Sequence, residues 1–268
     1  MLNHLRRRLG DRPLPLVQRS DLQALLDSLR ETPGTADAVK SAARSMYLWA
    51  TRRDLVESDP SGSLVVPRRV SRERILSPTE VGDFWNSCTA HSGRSLYPIG
   101  LKLVLLTGCR PGEAFGLAES ELARESDGLW WTLPAERSKN HDPIRRPLSN
   151  LAAGLLDEAR EINAQFGHAY RGRERAESGL ILDGTRNSWG DWMRDICEGM
   201  ANRPTAHDLR RTSRTTLSRL GVRFEVAETL LGHRLSGVAA IYDRHGWDPE
   251  MREAVEKLAD EVQRLAQS

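Results

Sequence analysis

Apolar residues recur at intervals of three and four along much of the chain, a period that predicts a mostly helical protein. In "SDLQALLDSLR" (20–30), Leu22, Leu25, Leu26 and Leu29 fall on one stripe, and Ser20 reads as the cap. "PGT" at 33–35 reads as a break. A second helix, Ala36–Arg53, carries Val39, Ala43, Met46, Tyr47 and Ala50 on one side. Further on, Ser77 before Pro78 and Glu80 announces another helix start, and "YPIGLKLVLLTG" reads as a buried helix. Helices are expected over 150–166, 187–199 and 206–221, the last closed by Gly221. The tail 249–267 places Met251, Val255, Leu258, Val262 and Leu265 on one stripe, which fits equally a helix packed on its own domain and one donated to a neighbouring protomer. Two short stretches, "GLWWTLP" (128–134) and "RRPLS" (145–149), read as strands flanking the polar, basic "AERSKNHD", a hairpin. The fold class expected is mostly α with a small antiparallel β-sheet.

Composition divides the chain. The segment 57–74, "ESDPSGSLVVPRRVSRER", is rich in Pro, Ser, Gly and Arg and reads as a link between domains. The expected limits are a first domain over 1–66, a linker over 67–74 and a second domain over 75–268. The formal charge of +2 conceals an uneven spread: eight arginines face four carboxylates from Arg203 to Trp247, whereas six carboxylates face three basic residues from Asp248 onward. That asymmetry fits a surface turned towards a polyanion with an acidic tail kept apart, and it fits a merely solvated helix face too. No apolar run approaches the roughly 18 residues needed to span a bilayer, and "MLNHLRRRLGDRP" lacks the apolar core of a secretion signal. The three cysteines have no metal-ligand spacing, which favours reduced thiols.

Four stretches carry candidate chemistry. "TGCRPGEAFGL" (107–117) sets Arg110 just after a buried helix, with Glu113 three residues on. The hairpin holds Lys139 near its tip. "HDLRRT" puts His207 and Arg210 on one helix face. "LLGHRLSGVAAIYDRHG" (230–246) holds His233 and, nine residues later, Tyr242. Singly, each has an ordinary explanation: a helix end with an Arg–Glu pair, a solvated lysine, a capping histidine, a core tyrosine.

In this order and at these spacings, the four stretches resemble the tyrosine recombinase, or phage integrase, family, whose pattern is an arginine box, a hairpin lysine, an HxLR box, LGH and a tyrosine. "RERILSPTEVGDFW" and "YDRHGWDPEMREAVEKLA" look like integrases of prophages and genomic islands, and "LGDRPLPLVQRSDLQALLDSL" looks like the core DNA-binding domain of the same group. The resemblance implies a core-binding domain, shortened at its N-terminus, followed by a catalytic integrase domain. The two are expected to clamp duplex DNA.

The chemistry so implied is site-specific cutting and rejoining of DNA through a 3′-phosphotyrosyl intermediate, to integrate or excise a mobile element. Arg110 and Arg210 offer planar donor forks that match a phosphate and keep their charge. His207 and His233 hydrogen-bond the same phosphate, His207 helping to take the nucleophile's proton. Tyr242 attacks, Lys139 protonates the leaving 5′-oxygen, and Glu113 orients Arg110 or a nearby histidine. No cofactor is called for, since the covalent link stores the bond energy and the chain has no P-loop and no GxGxxG fingerprint. The implied partners are duplex attachment sites, three further copies in a DNA-bound tetramer and accessory DNA-bending factors, without a membrane. The implied place is the bacterial cytoplasm, at the nucleoid. Two other readings stand beside it: a truncated relic that binds or nicks DNA without completing exchange, and a metal-dependent phosphohydrolase built on His207, Asp208, His233, Asp243 and His245.

Overall fold

A computed structural model describes residues 2–68, 73–93, 95–170, 179–233 and 246–268. The chain forms two compact units, Met1–Arg72 and Glu73–Ser268. Both are built mainly of helices, and the one sheet among the described residues is small and antiparallel.

The first unit comprises α1 (Leu2–Leu9), α2 (Arg19–Asp27) and α3 (Pro33–Thr51). The stripe Leu22, Leu25 and Leu26 of α2 is buried against Val39, Ala43 and Tyr47 of α3 in one core. Ser20 is not the cap of α2. The helix starts at Arg19 after Gln18, whose backbone N–H donates to Asp21 Oδ2 at 3.0 Å. Helix α2 ends at Asp27, and Pro33 opens α3 three residues ahead of the expected Ala36, because its fixed φ suits a first helical turn and its missing N–H would have had no partner there. The stretch 57–66 is not a free link either. Leu64 is buried, and the Gln23 side chain brackets Val65, accepting from its N–H at 2.9 Å and donating to its carbonyl at 3.0 Å.

The second unit is organised around α5 (Leu96–Thr107), buried along its whole length from Pro98 onward. Around it lie α4 (Pro78–Ala90), α6 (Pro111–Ala114), α7 (Asn150–Tyr170), α8 (Arg186–Ile196), α9 (Ala206–Arg219) and α10 (Phe224–Leu231). The start of α4 is capped reciprocally, Ser77 Oγ accepting from the Glu80 N–H and Glu80 accepting from the Ser77 N–H. The sheet has three strands in the order β1 (Leu122–Glu125), β2 (Gly128–Leu133) and β3 (Ile144–Leu148), so the expected hairpin gains a third strand. That strand escapes the periodicity because "LARE" is a short edge segment with no buried face. Between β2 and β3, Trp131 pairs with Arg146 and Leu129 with Leu148.

The final helix, α11 (Asp248–Ala266), packs on its own unit. Met251, Val255, Leu258 and Val262 are buried, the Arg252 guanidinium donates to Leu148 O at 2.7 Å, and Asn86 Nδ2 donates to Ala266 O at 2.9 Å. Gly82 makes this docking possible, since a Cβ there would lie 2.3 Å from the Leu265 carbonyl oxygen. Among the described residues no helix is long and apolar enough to cross a membrane.

Candidate active site

Arg110 follows directly on α5 and caps α6. Its backbone N–H donates to Glu113 Oε2 at 3.1 Å and its Nη1 to Glu113 Oε1 at 2.7 Å. Glu113 is almost wholly buried, and its carboxylate takes a further bond from Arg146 Nη2, at 3.1 Å, from β3. Burial pushes the Glu113 carboxyl upward, but the charge of Arg146 and the bonds from Arg110 outweigh it and hold the group below the usual carboxylate range. Arg146 is only 1% exposed, lies 4.8 Å from the Trp131 ring centre, and leaves Nε and Nη1 without a hydrogen-bond partner among the described residues. Arg137, just before the hairpin turn, braces the same corner by donating to Glu113 O at 2.7 Å.

Arg210 reaches the site from α9. It is 8% exposed, and Nη1 donates to Gly108 O at 2.7 Å while Nη2 donates to Leu231 O at 3.1 Å. Nη2 also meets His233 Nε2 at 2.6 Å. Burial pulls the Arg210 pKa down to about 10, and the positive charge of Arg110 adds to that, so the two arginines share one electrostatic neighbourhood. His233 follows Gly232, which ends α10 at φ +71° and presses on the hairpin: a Cβ there would lie 2.4 Å from Ile144 Cδ1. A cleft of about 170 Å³ runs between the hairpin (Ser138, Asp142, Arg145) and the end of α10 (Thr229, Gly232, His233).

Lys139 is exposed in the β2–β3 connection, whose residues Ser138 and Asn140 line that cleft. His207 is exposed in the first turn of α9, on the helix that carries Arg210. Arg110, Glu113, Arg210 and His233 are thus drawn together. Tyr242, Asp243 and His245 lie outside the described residues. Asp208 is fully buried, accepting from Thr205 N at 2.8 Å and paired with Arg211, so it caps α9 rather than facing outward as a ligand would. All three cysteines are unbridged and buried. Burial raises the Cys109 thiol, beside Arg110, to about 11.

Sequence reasoning missed two groups. Arg146 breaks the apolar inward phase of β3 between Ile144 and Leu148, a legible signal, because an inward charge needs a partner. Glu228, whose Oε2 meets His233 Nδ1 at 2.6 Å, had no such signal. Its contact depends on the turn after α10, not on helical spacing.

The description "Phage integrase family" belongs to a family model that matches residues 73–246. The chain belongs to that family, the tyrosine recombinases. Among solved structures, this integrase is similar to a lambda integrase dimer bound to a COC′ core site, at 18% identity over 92% of this chain and 88% of that one, with a TM-score of 0.66. It is similar to the XerH site-specific recombinase bound to difH substrate, at 15% identity over 91% and 73%, TM-score 0.61. A Tn1549 transposon integrase in complex with circular intermediate DNA matches at 16% identity over 94% and 89%, TM-score 0.60. At such identities the likeness is one of fold. No curated protein sequence matches the integrase.

Glu113 makes a stability prediction. Glu113→Ala leaves Arg146 charged, buried and unpaired, and is expected to destabilise the protein by about 3–5 kcal/mol. Glu113→Ala with Arg146→Met is expected to recover more than half of that loss. Urea unfolding checks it, and a double variant as unstable as the single one would exonerate Arg146. A carboxyl held low when folded stabilises fully above its unfolded value of about 4.3 and loses that contribution as the pH falls through its folded value. Glu113→Ala should therefore flatten the acid limb of the stability profile.

Proposed function

We propose that this integrase is a site-specific DNA recombinase that cuts and rejoins duplex DNA through a 3′-phosphotyrosyl intermediate, integrating or excising a mobile element. The observation that carries the reading is the state of Arg210: a nearly buried guanidinium held by two main-chain carbonyls and an imidazole, with no carboxylate on it among the described residues. Carbonyls and an imidazole orient the fork without cancelling its charge, and that charge is kept for an anion. Arg110 spends part of its charge on Glu113, yet Glu113 is shared with Arg146, so the cluster of three arginines and one carboxylate stays positive.

A scissile phosphate bound by Arg110 and Arg210, with His207 as a further hydrogen-bonding group and His233 holding the Arg210 fork, is attacked by the Tyr242 phenol oxygen. The P–O5′ bond breaks, the phenolic proton passes to a base, His207 being the candidate, and Lys139 protonates the departing 5′-oxygen. The reverse attack by a 5′-hydroxyl from another strand restores the phosphodiester and frees the tyrosine. Residues 1–66, within the first unit, are assigned to core-site binding and residues 75–268, within the second, to catalysis, with 67–74 as the linker. A lambda integrase tetramer bound to a Holliday junction supports assembly of four copies on DNA.

The test is an SDS gel of the protein with supercoiled DNA and a panel of candidate attachment duplexes in EDTA, with the adducted peptide mapped by mass spectrometry. A denaturant-resistant adduct on the peptide holding Tyr242 is expected. DNA cleavage that EDTA abolishes, with no adduct, would replace the reading by a metal-dependent one.

A further inference from the structure

Arginine is always a donor, so the 2.6 Å contact between Arg210 Nη2 and His233 Nε2 requires a lone pair on Nε2. A neutral imidazole then carries its proton on Nδ1, which faces Glu228 Oε2 at 2.6 Å. The other oxygen of Glu228 accepts from Arg214 Nε at 2.7 Å, and Arg214 lies on α9, one turn beyond Arg210. Glu228 is held below the usual carboxylate range, since the bonds from Arg214 and His233 outweigh its burial. The chain Arg214–Glu228–His233–Arg210 therefore starts and ends on α9 and passes through the end of α10. The other charged groups lining the cleft beside His233 are Asp142 and Arg145, from the hairpin.

We propose that Glu228 is a positioning residue: it fixes the Nδ1–H form of His233 so that Nε2 holds the Arg210 fork in place. This rests on the reading of Arg210 as a phosphate-binding group. A carboxylate behind the distal nitrogen of a histidine sets which nitrogen presents its lone pair to the working side. With the opposite tautomer, Nε2–H would point at a guanidinium N–H, donor against donor, and the arginine would turn away.

Two measurements test it. In the free protein, long-range ¹H–¹⁵N correlation of His233 at neutral pH should show the Nδ1–H pattern, lost in Glu228→Gln. An Nε2–H pattern in the wild type overturns the proposal, whatever the protein does to DNA. In the adduct assay, Glu228→Gln should slow adduct formation about 10- to 100-fold, the range typical of a residue that orients a functional imidazole. His233→Gln puts an amide oxygen near the place of Nε2 and needs no tautomer, so in that background Glu228→Gln should cost less than about 2-fold. An equal loss in both backgrounds overturns the proposal. No wild-type adduct on any substrate would instead count against the recombinase mechanism, and the tautomer would still decide the role of Glu228.

Discussion

Tyr242→Phe is expected to bind duplex DNA as the wild type does and to form no covalent adduct, because the variant has no oxygen with which to attack. A phenol with an ordinary pKa near 10 is mostly protonated at neutral pH, so it must sit beside a base and cationic groups to react. Two of the chain's other tyrosines are visibly engaged elsewhere. Tyr47 is 1% exposed, donates its hydroxyl to Leu14 O at 3.2 Å, and has its acidity reduced by burial. Tyr97 packs in an aromatic cluster, its ring centre 5.5 Å from Phe115 and 6.0 Å from Trp192. Labelled duplex and an SDS gel give the readout. An adduct that survives the substitution would move the nucleophile away from Tyr242.

Arg210→Lys is expected to lower adduct formation about 10²- to 10³-fold, the loss typical of removing one preorganised donor from a site of developing charge, while DNA affinity changes less than about tenfold. The positive charge is retained, so the loss must come from geometry. The guanidinium satisfies Gly108 O and Leu231 O, on two different segments, and still meets His233. One ammonium, with no planar fork and a shorter reach, cannot span those acceptors and also face a phosphate. Each carbonyl left without a partner costs about 1–3 kcal/mol, so a lower urea midpoint should accompany the kinetic loss. Near-normal cleavage by the lysine variant would refute the fork's role. Single-turnover rates and gel-shift affinities separate the two effects.

The helices of both units were legible because burial imposes a period that the sequence must obey. The stripe of α11 is the plainest case: Met251, Val255, Leu258 and Val262 stand out in the sequence and are buried in the fold. Which partner buries them was not legible, since an apolar stripe states only that something covers it. Here the cover is the helix's own unit, and Gly82 and Asn86 are the contacts that make it so. The short edge strand β1 escapes the sequence pattern, and α3 starts at Pro33 rather than Ala36, for a related reason. Short elements hold too few residues to show a period, and proline marks both breaks and beginnings.

The sequence by itself determined the fold class and the candidate set Arg110, Glu113, Lys139, His207, Arg210, His233 and Tyr242, because motif spacing survives in one dimension. It also carried the pairing of Arg110 with Glu113, which lies within one turn. Only the tertiary structure decided that Glu113 is shared with Arg146, 33 residues away, and that Arg210 is held by Gly108 and Leu231, 102 and 21 residues away. It alone put Glu228 behind His233. Buried charges and main-chain carbonyls choose their partners by distance in space, after α5, α9 and the hairpin have packed, and no local pattern encodes that choice.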